Sequence, residues 1–209
     1  MAAILGVGQY VFAQEPPRTI KGDVLATVGW LSANTSASSE YADNNWVSSL
    51  SGAVSAGWHW TDNLKTEGEF GTSTKMRTYR INPVTVQGRP TYQATRTTFS
   101  RQTLAFTQQY QFFHNVWFHP HLGAGVTITW ERAVSQADPI FIYDPSRGGQ
   151  SSTPGARDDP RTRATLRPFV ASGFKAYVTE RTFFRSDVRM TFRGGPDEVL
   201  LRVGFGIDF

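Results

Sequence analysis

The feature of this sequence that most constrains its fold is a strict alternation of apolar and polar residues, repeated in about eight segments. Within residues 118–131, for example, Val126 and Ile128 alternate with Thr127 and Thr129. Successive side chains point to opposite faces of a strand, so this pattern predicts β-strands with one apolar and one polar face. Since no helical periodicity of similar length is present, the chain is predicted to be all-β.

The predicted strands are joined alternately by long polar loops and very short turns. They cover about residues 21–31, 46–60, 64–80, 98–111, 118–131, 163–178, 182–193 and 198–209. The short turns fall at 61–63, 114–115 and 179–181. A loop containing Pro83, Gly88 and Pro90 leads from the third segment to the fourth, and the longest loop lies at about 133–161. Outer-membrane barrels have this arrangement, and about 10 residues suffice for a tilted strand to cross a hydrocarbon core. The sequence therefore predicts a closed antiparallel up-and-down transmembrane β-barrel of about eight strands.

Composition agrees with strands and excludes several other classes of protein. No stretch approaches the roughly 18 consecutive apolar residues of a membrane-spanning helix. Aromatic residues reach 13% while charged residues are only 18% of the chain, below the usual value of about 25%. The absence of cysteine excludes disulfides and thiolate catalysis. The net charge of +4 lies on scattered arginines rather than in a basic block, so we expect no binding of nucleic acid.

Charged residues share the polar face of several predicted strands. We expect this face to line the lumen, because in lipid the apolar face must point outward and the sheet must close to satisfy its backbone. Gly residues on the same face leave room for long side chains, as at Gly125 and Gly206. The predicted lumen charge network comprises Lys65, Glu67, Glu69, Arg101, Arg167, Lys175, Arg185, Asp187, Arg189, Arg202 and Asp208.

Large aromatic residues fall at the ends of the apolar faces. Trp and Tyr prefer the depth of the lipid headgroups, where they form girdles at the two ends of a membrane barrel. This position also argues against a soluble lipocalin-like barrel, whose apolar face points inward. The predicted girdle comprises Trp30, Trp46, Trp58, Trp60, Tyr110 and Trp130.

The carboxyl-terminal residues 199–209 alternate apolar side chains up to a terminal Phe. This run resembles the insertion signal of outer-membrane proteins, with Val203, Phe205, Ile207 and Phe209 as its apolar positions. Residues 119–125, 167–170 and 185–189 resemble the small OmpA-like β-barrel domain family, and the likeness covers about residues 21–209. The resemblance implies an eight-stranded barrel in the outer membrane, inserted by the barrel-assembly machinery.

The amino-terminal residues 1–13 are apolar and precede Gln14, Glu15 and two prolines. Their length fits the hydrophobic region of a secretory signal peptide, although no Lys or Arg precedes it. We therefore expect residues 1–13 to be a truncated signal peptide and 14–209 to be the barrel domain. The expected location is the outer membrane of a Gram-negative bacterium, where a monomer would contact lipid and lipopolysaccharide.

Residues that could support catalysis or metal binding do not form a convincing set. His119 and His121 share a strand face, but two imidazoles do not complete a zinc site. No Ser, His and acid lie together on an apolar face, as a lipid-modifying barrel enzyme would need. We expect a non-enzymatic structural or surface-interaction protein with a largely plugged lumen, no metal and no cofactor. The alternatives are a narrow pore, a lipid-modifying enzyme and a lipocalin-like carrier.

Overall fold

The computed structural model describes residues 21–34, 46–86, 88–112, 117–144 and 149–209. The expected signal peptide and the turn at 114–115 lie outside these residues. No helix in the described ranges is long and apolar enough to cross a membrane. The strands are β1 (Gly22–Asn34), β2 (Trp46–His59), β3 (Leu64–Ser73), β4 (Met76–Val86), β5 (Arg89–Gln111), β6 (Phe118–Ala137), β7 (Ile140–Asp144), β8 (Gly149–Thr153), β9 (Arg161–Tyr177), β10 (Thr182–Phe192) and β11 (Pro196–Asp208).

Eight of these strands form a closed antiparallel barrel. The order is β3-β2-β1-β11-β10-β9-β6-β5, and pairing between β3 and β5 closes the circle. The first and last strands pair along their whole length, from Asp23 opposite Asp208 to Ala33 opposite Glu198. Closure gives every barrel strand two hydrogen-bonded neighbours and leaves no open sheet edge. The predicted fold class is confirmed.

The third predicted strand, 64–80, is divided at residues 74–75 between β3 and β4, and the region after it was wrongly predicted as a loop containing Pro83, Gly88 and Pro90. It is instead a hairpin in which β4 pairs with the first half of β5, and Gly88 adopts a positive φ of 74° at its tip. β4 has β5 as its one paired neighbour in the sheet, and residues 89–94 of β5 pair with β4 alone. Both prolines therefore lie on sheet edges, where a missing N–H is tolerated.

The predicted long loop at about 133–161 also contains strands. β6 continues to Ala137, which pairs with Thr95 of β5, and β7 and β8 form a separate two-stranded hairpin. Short polar side chains support the extension, since the Thr97 and Ser135 hydroxyls lie 3.0 Å apart. β4, β5 and β6 thus form a sheet that extends beyond the end of the barrel.

The two faces of the barrel have opposite chemical character. Apolar side chains cover the outside, where Val28, Leu166 and Phe205 are 64%, 67% and 62% exposed. Charged side chains line the inside, where Glu67 is 0% exposed. This distribution is the inverse of a soluble protein and matches a barrel whose outer surface meets lipid.

Two interior glycines lie against buried phenylalanine rings. A Cβ at Gly125 would lie 2.7 Å from Phe169 and 2.1 Å from the carbonyl oxygen of Phe106. A Cβ at Gly206 would lie 2.3 Å from the Phe183 ring. The predicted role of these glycines was to make room for Arg and Lys; the structure shows that they also make room for rings that pack among those cations.

Replacing Gly125 by Ala is expected to destabilise the barrel by at least about 1–3 kcal/mol, the usual cost of overpacking. The new methyl group would meet the Phe106 carbonyl as well as the Phe169 ring, and the carbonyl cannot move without disturbing the β5–β6 pairing. Urea unfolding in lipid vesicles measures the change. Gly68→Ala on the outer face is the matched control, because its Cβ has Phe106 as its nearest neighbour at 3.8 Å. Equal stability of the two variants would contradict this steric account.

Candidate functional site

The barrel interior contains a dense set of buried charges. Among the described residues, the buried cations are Lys65, Arg101, Arg167, Lys175, Arg185, Arg189 and Arg202. The buried carboxylates are Asp23, Glu67, Glu69, Asp187, Asp197, Glu198 and Asp208. Seven charges of each sign make this buried set formally neutral. Such balance is what a low-dielectric interior requires, because an unpaired buried charge is very costly.

At the end of the barrel with the short turns, two lysines connect three carboxylates. Lys175 Nζ of β9 lies 2.6 Å from Asp208 Oδ1 of β11 and 3.5 Å from Asp23 Oδ2 of β1. Lys65 Nζ of β3 lies 2.8 Å from Asp23 Oδ2 and 2.7 Å from Glu67 Oε2. These contacts join four strands across the lumen.

Arginines continue the chain of ion pairs from Glu67 toward the other end. Arg185 Nη1 donates to Glu67 Oε2 at 2.5 Å, and its Nε lies 2.9 Å from Asp187 Oδ2. Arg202 then binds Asp187, with Nε 2.7 Å from Oδ1, and also donates from Nη1 to Glu69.

Arg189 completes this chain by donating to both carboxylate oxygens of Glu69, at 2.9 and 3.1 Å. Bidentate pairs of this kind fix the planes of both groups and are stronger than single contacts. An unbroken series of alternating charges therefore runs through the lumen. Its ten members, in order, are Asp208, Lys175, Asp23, Lys65, Glu67, Arg185, Asp187, Arg202, Glu69 and Arg189.

Two smaller ion-pair groups lie nearer the end with the long connections. Arg101 contacts Glu131 at 2.6 Å and Glu198 at 2.9 Å. Arg167 Nη1 lies 2.6 Å from Asp197 Oδ2. All the predicted lumen charges are therefore buried and have an oppositely charged neighbour within 4 Å.

Aromatic rings pack between these charges. Lys175 Nζ lies 3.8 Å from the centre of the Phe183 ring, and the Arg189 guanidinium lies 4.3 Å from that of Phe169. Cations over ring faces gain favourable electrostatic energy when water is excluded. The Tyr177 hydroxyl also donates to Asp208. Rings and ion pairs therefore pack against one another in the interior of the barrel.

Three buried carboxylates are missing from the predicted network, namely Asp23, Asp197 and Glu198. Alternation does place Asp23 on the polar face with Thr27, and Glu198 on the face of Arg202, so both could have been included. Alternation would instead place Asp197 on the outward face with Val199 and Leu201. This residue follows a register shift in the β10–β11 pairing next to Phe192, and such an irregularity breaks the period of two.

The six aromatic residues of the predicted girdle are all exposed on the outside of the barrel. Trp58, Trp60 and Tyr110 lie near the short turns. Trp30, Trp46 and Trp130 lie toward the other end, as the pairing of Trp46 with Asn34 at the end of β1 shows. The apolar positions of the expected insertion signal also point outward; they are Val203, Phe205, Ile207 and Phe209. Their role in insertion stays a prediction.

The two histidines considered as metal ligands lie on the lumen-facing side of β6. His121 is buried opposite Gly173, and His119 lies on the same strand face opposite Lys175. Within the part of the chain that the structure describes, no three His, Cys, Asp or Glu side chains are grouped so that they could hold a metal ion.

Comparison with solved structures supports the fold. The β-barrel domain of OprF from Pseudomonas aeruginosa superposes with a TM-score of 0.53 and 14% identity, covering 91% of this chain and 98% of that one. Neisserial surface protein A superposes with a TM-score of 0.55 and 16% identity, covering 90% and 97%. No protein-family model and no curated protein sequence matches the chain. At this identity the likeness concerns the fold, which is that of small outer-membrane β-barrels.

Proposed function

We propose that this chain is a monomeric outer-membrane β-barrel of a Gram-negative bacterium, with a closed lumen and a structural or surface-interaction role. The neutral, fully paired charge set of the interior carries this proposal. The apolar outer surface with aromatic residues at both ends supports the membrane location. Recovery of the native protein in the soluble periplasm on cell fractionation would contradict that location.

The ion pairs oppose conduction because they hold long side chains across the lumen. Arg202 is bound by carboxylates of both β10 and β3, and Arg185 likewise. Opening a path would separate buried charges without water to replace their partners, which is costly. An interior of about eight strands is also just wide enough to be filled by side chains.

In planar bilayers at neutral pH, the purified protein is expected to give no steady large conductance. Replacing Arg185, Asp187 and Arg189 together by Ala should raise leakage, because it removes three fixed side chains from one wall of the lumen. The control is the triple Ala variant of Ser186, Val188 and Met190, which lie on the other face of the same strand. Steady conductance by the unmodified protein would refute the closed lumen.

The extension of the sheet beyond the barrel favours a surface-interaction role in addition to a structural one. The β4–β5 hairpin and the β7–β8 hairpin expose Tyr79, Ile81, Tyr92 and Phe141. Exposed aromatic side chains of this kind supply contact area at low entropic cost and are enriched in binding sites. A pull-down from host or envelope extracts, with a variant lacking residues 79–92 as control, tests this role.

A further inference from the structure

Five cations line one cavity on the outer surface of the extended sheet. One directly precedes β4 and the others come from β4, β5, β6 and the segment after β8, while Thr98, Ser100, Val134 and Gln136 complete the lining. We call this set the basic patch: Lys75, Arg77, Arg96, Arg132 and Arg157. The patch is separate from the lumen, because strand alternation puts Arg101 inside the barrel and Ser100 and Arg96 on the outer face.

The strand pairing fixes how these cations converge. Arg77 of β4 is opposite Thr98 of β5, and Arg132 of β6 is opposite Ser100 of β5. Arg157 joins through an isolated bridge to Gln136, which itself pairs with Arg96. Four separate segments thus direct guanidinium or ammonium groups to one surface.

The charge of the basic patch is not balanced as the lumen is. No Asp or Glu lines the cavity. Between described residues, the structure gives none of the five cations an ion pair, and Arg96 instead lies 5.3 Å from the Tyr79 ring. Since the buried lumen charges cancel, the net charge of +4 lies on residues outside this buried set. The patch concentrates that excess at one place.

The position of the basic patch along the barrel axis indicates which part of the membrane it would contact. Arg132 follows the girdle residue Trp130 by two positions on the same outward face, a step of about 7 Å along the strand. The patch lies at the end with the long connections, which is extracellular in barrels of this type. In the proposed orientation it therefore stands beside the phosphate-bearing headgroups of the outer leaflet.

We propose that the basic patch binds the lipid A phosphates of lipopolysaccharide from the side of the barrel. This inference rests on the proposed outer-membrane location. Guanidinium groups bind phosphate oxygens in pairs and stay charged at all physiological pH values. The Thr98 and Ser100 hydroxyls add neutral donors between the arginines. Several phosphates of one lipid, presented along the membrane surface, match cations spread over three neighbouring strands.

The test uses the full chain in nanodiscs of phosphatidylcholine with added purified lipid A. We expect salt-dependent binding of lipid A, and at least a tenfold loss of affinity when Arg77, Arg96 and Arg132 are all replaced by Gln. The matched control replaces three exposed arginines outside the patch, Arg161, Arg163 and Arg193, by Gln. It removes the same charge at the same end of the barrel and should keep affinity within about twofold.

Dephosphorylated lipid A and inorganic phosphate distinguish binding of the lipid A phosphates from binding of the lipid alone or of free phosphate. We expect dephosphorylated lipid A to bind at least tenfold more weakly, and millimolar inorganic phosphate not to compete. Unchanged binding by the patch variant, equal binding of the dephosphorylated lipid, or competition by inorganic phosphate would each overturn the site. Failure of the protein to insert into phosphatidylcholine alone would instead refute the membrane location, independently of the patch.

Discussion

Replacing Glu67 by Gln is expected to lower the free energy of unfolding by about 3–5 kcal/mol, the range for removing one partner of a buried ion pair. Lys65 and Arg185 both contact Glu67 Oε2, at 2.7 and 2.5 Å. The substitution leaves two cations facing a neutral amide in a site closed to water. Equilibrium unfolding by urea in lipid vesicles measures the loss.

Glu131→Gln is the matched control for this experiment. The Glu131 side chain is 27% exposed, and its partner Arg101 keeps a second carboxylate, Glu198, at 2.9 Å. We expect a loss of at most about 1 kcal/mol, as for ion pairs near solvent. Adding Lys65→Met to Glu67→Gln should recover part of the stability, because the lumen becomes neutral again. Equal losses for Glu67→Gln and Glu131→Gln would show that the ion pairs do not stabilise the fold as described.

Replacing Val203 by Arg is expected to cost about 2–4 kcal/mol, the penalty for a cation on the outer face near the bilayer midplane. Val203 is exposed, lies near the middle of β11 and pairs with Val28 and Ser186. The penalty depends on depth, so Ser48→Arg, on the outer face beside the end of β2, should cost only about 0–1 kcal/mol. Unfolding in vesicles compares the two variants.

Lipid accessibility gives an independent check of the same orientation. The chain has no cysteine, so single Cys labels can be placed freely. A label at Ile128 should be quenched by lipid-soluble reagents, whereas one at Thr127, which is buried in the lumen, should not. The reverse result would mean that the apolar face lines the interior and the polar face points outward.

Strand alternation was enough to predict which side chains point into the barrel. A period of two leaves only one choice for each segment, so Lys65, Glu67 and Glu69 had to share a face once β3 was recognised. Chemistry then decided which face points outward, since an apolar face with Trp at its ends suits contact with lipid. These two arguments account for the fold and for most of the buried charges.

Pairing across the lumen and the extension of the sheet could not be predicted in the same way. Glu69 and Arg202 are 133 residues apart, and their contact depends on the register of strands that are not neighbours in sequence. Pro83 and Pro90 indicated a loop because the sequence does not reveal which strands lie at an edge. Asp197 was missed because the shift beside Phe192 changes the phase of the alternation locally.

Ion pairs as well as backbone hydrogen bonds fix the register of β11. Sliding this strand by one residue against β10 and β1 would turn Arg202 and Asp208 toward lipid and Val203 and Phe205 toward the lumen. Lys175, Asp187 and Glu69 would then lose partners at the same time. The charges of β11 thus contribute to the electrical neutrality of the interior, and a misaligned β11 would break ion pairs with β9, β10 and β3 together.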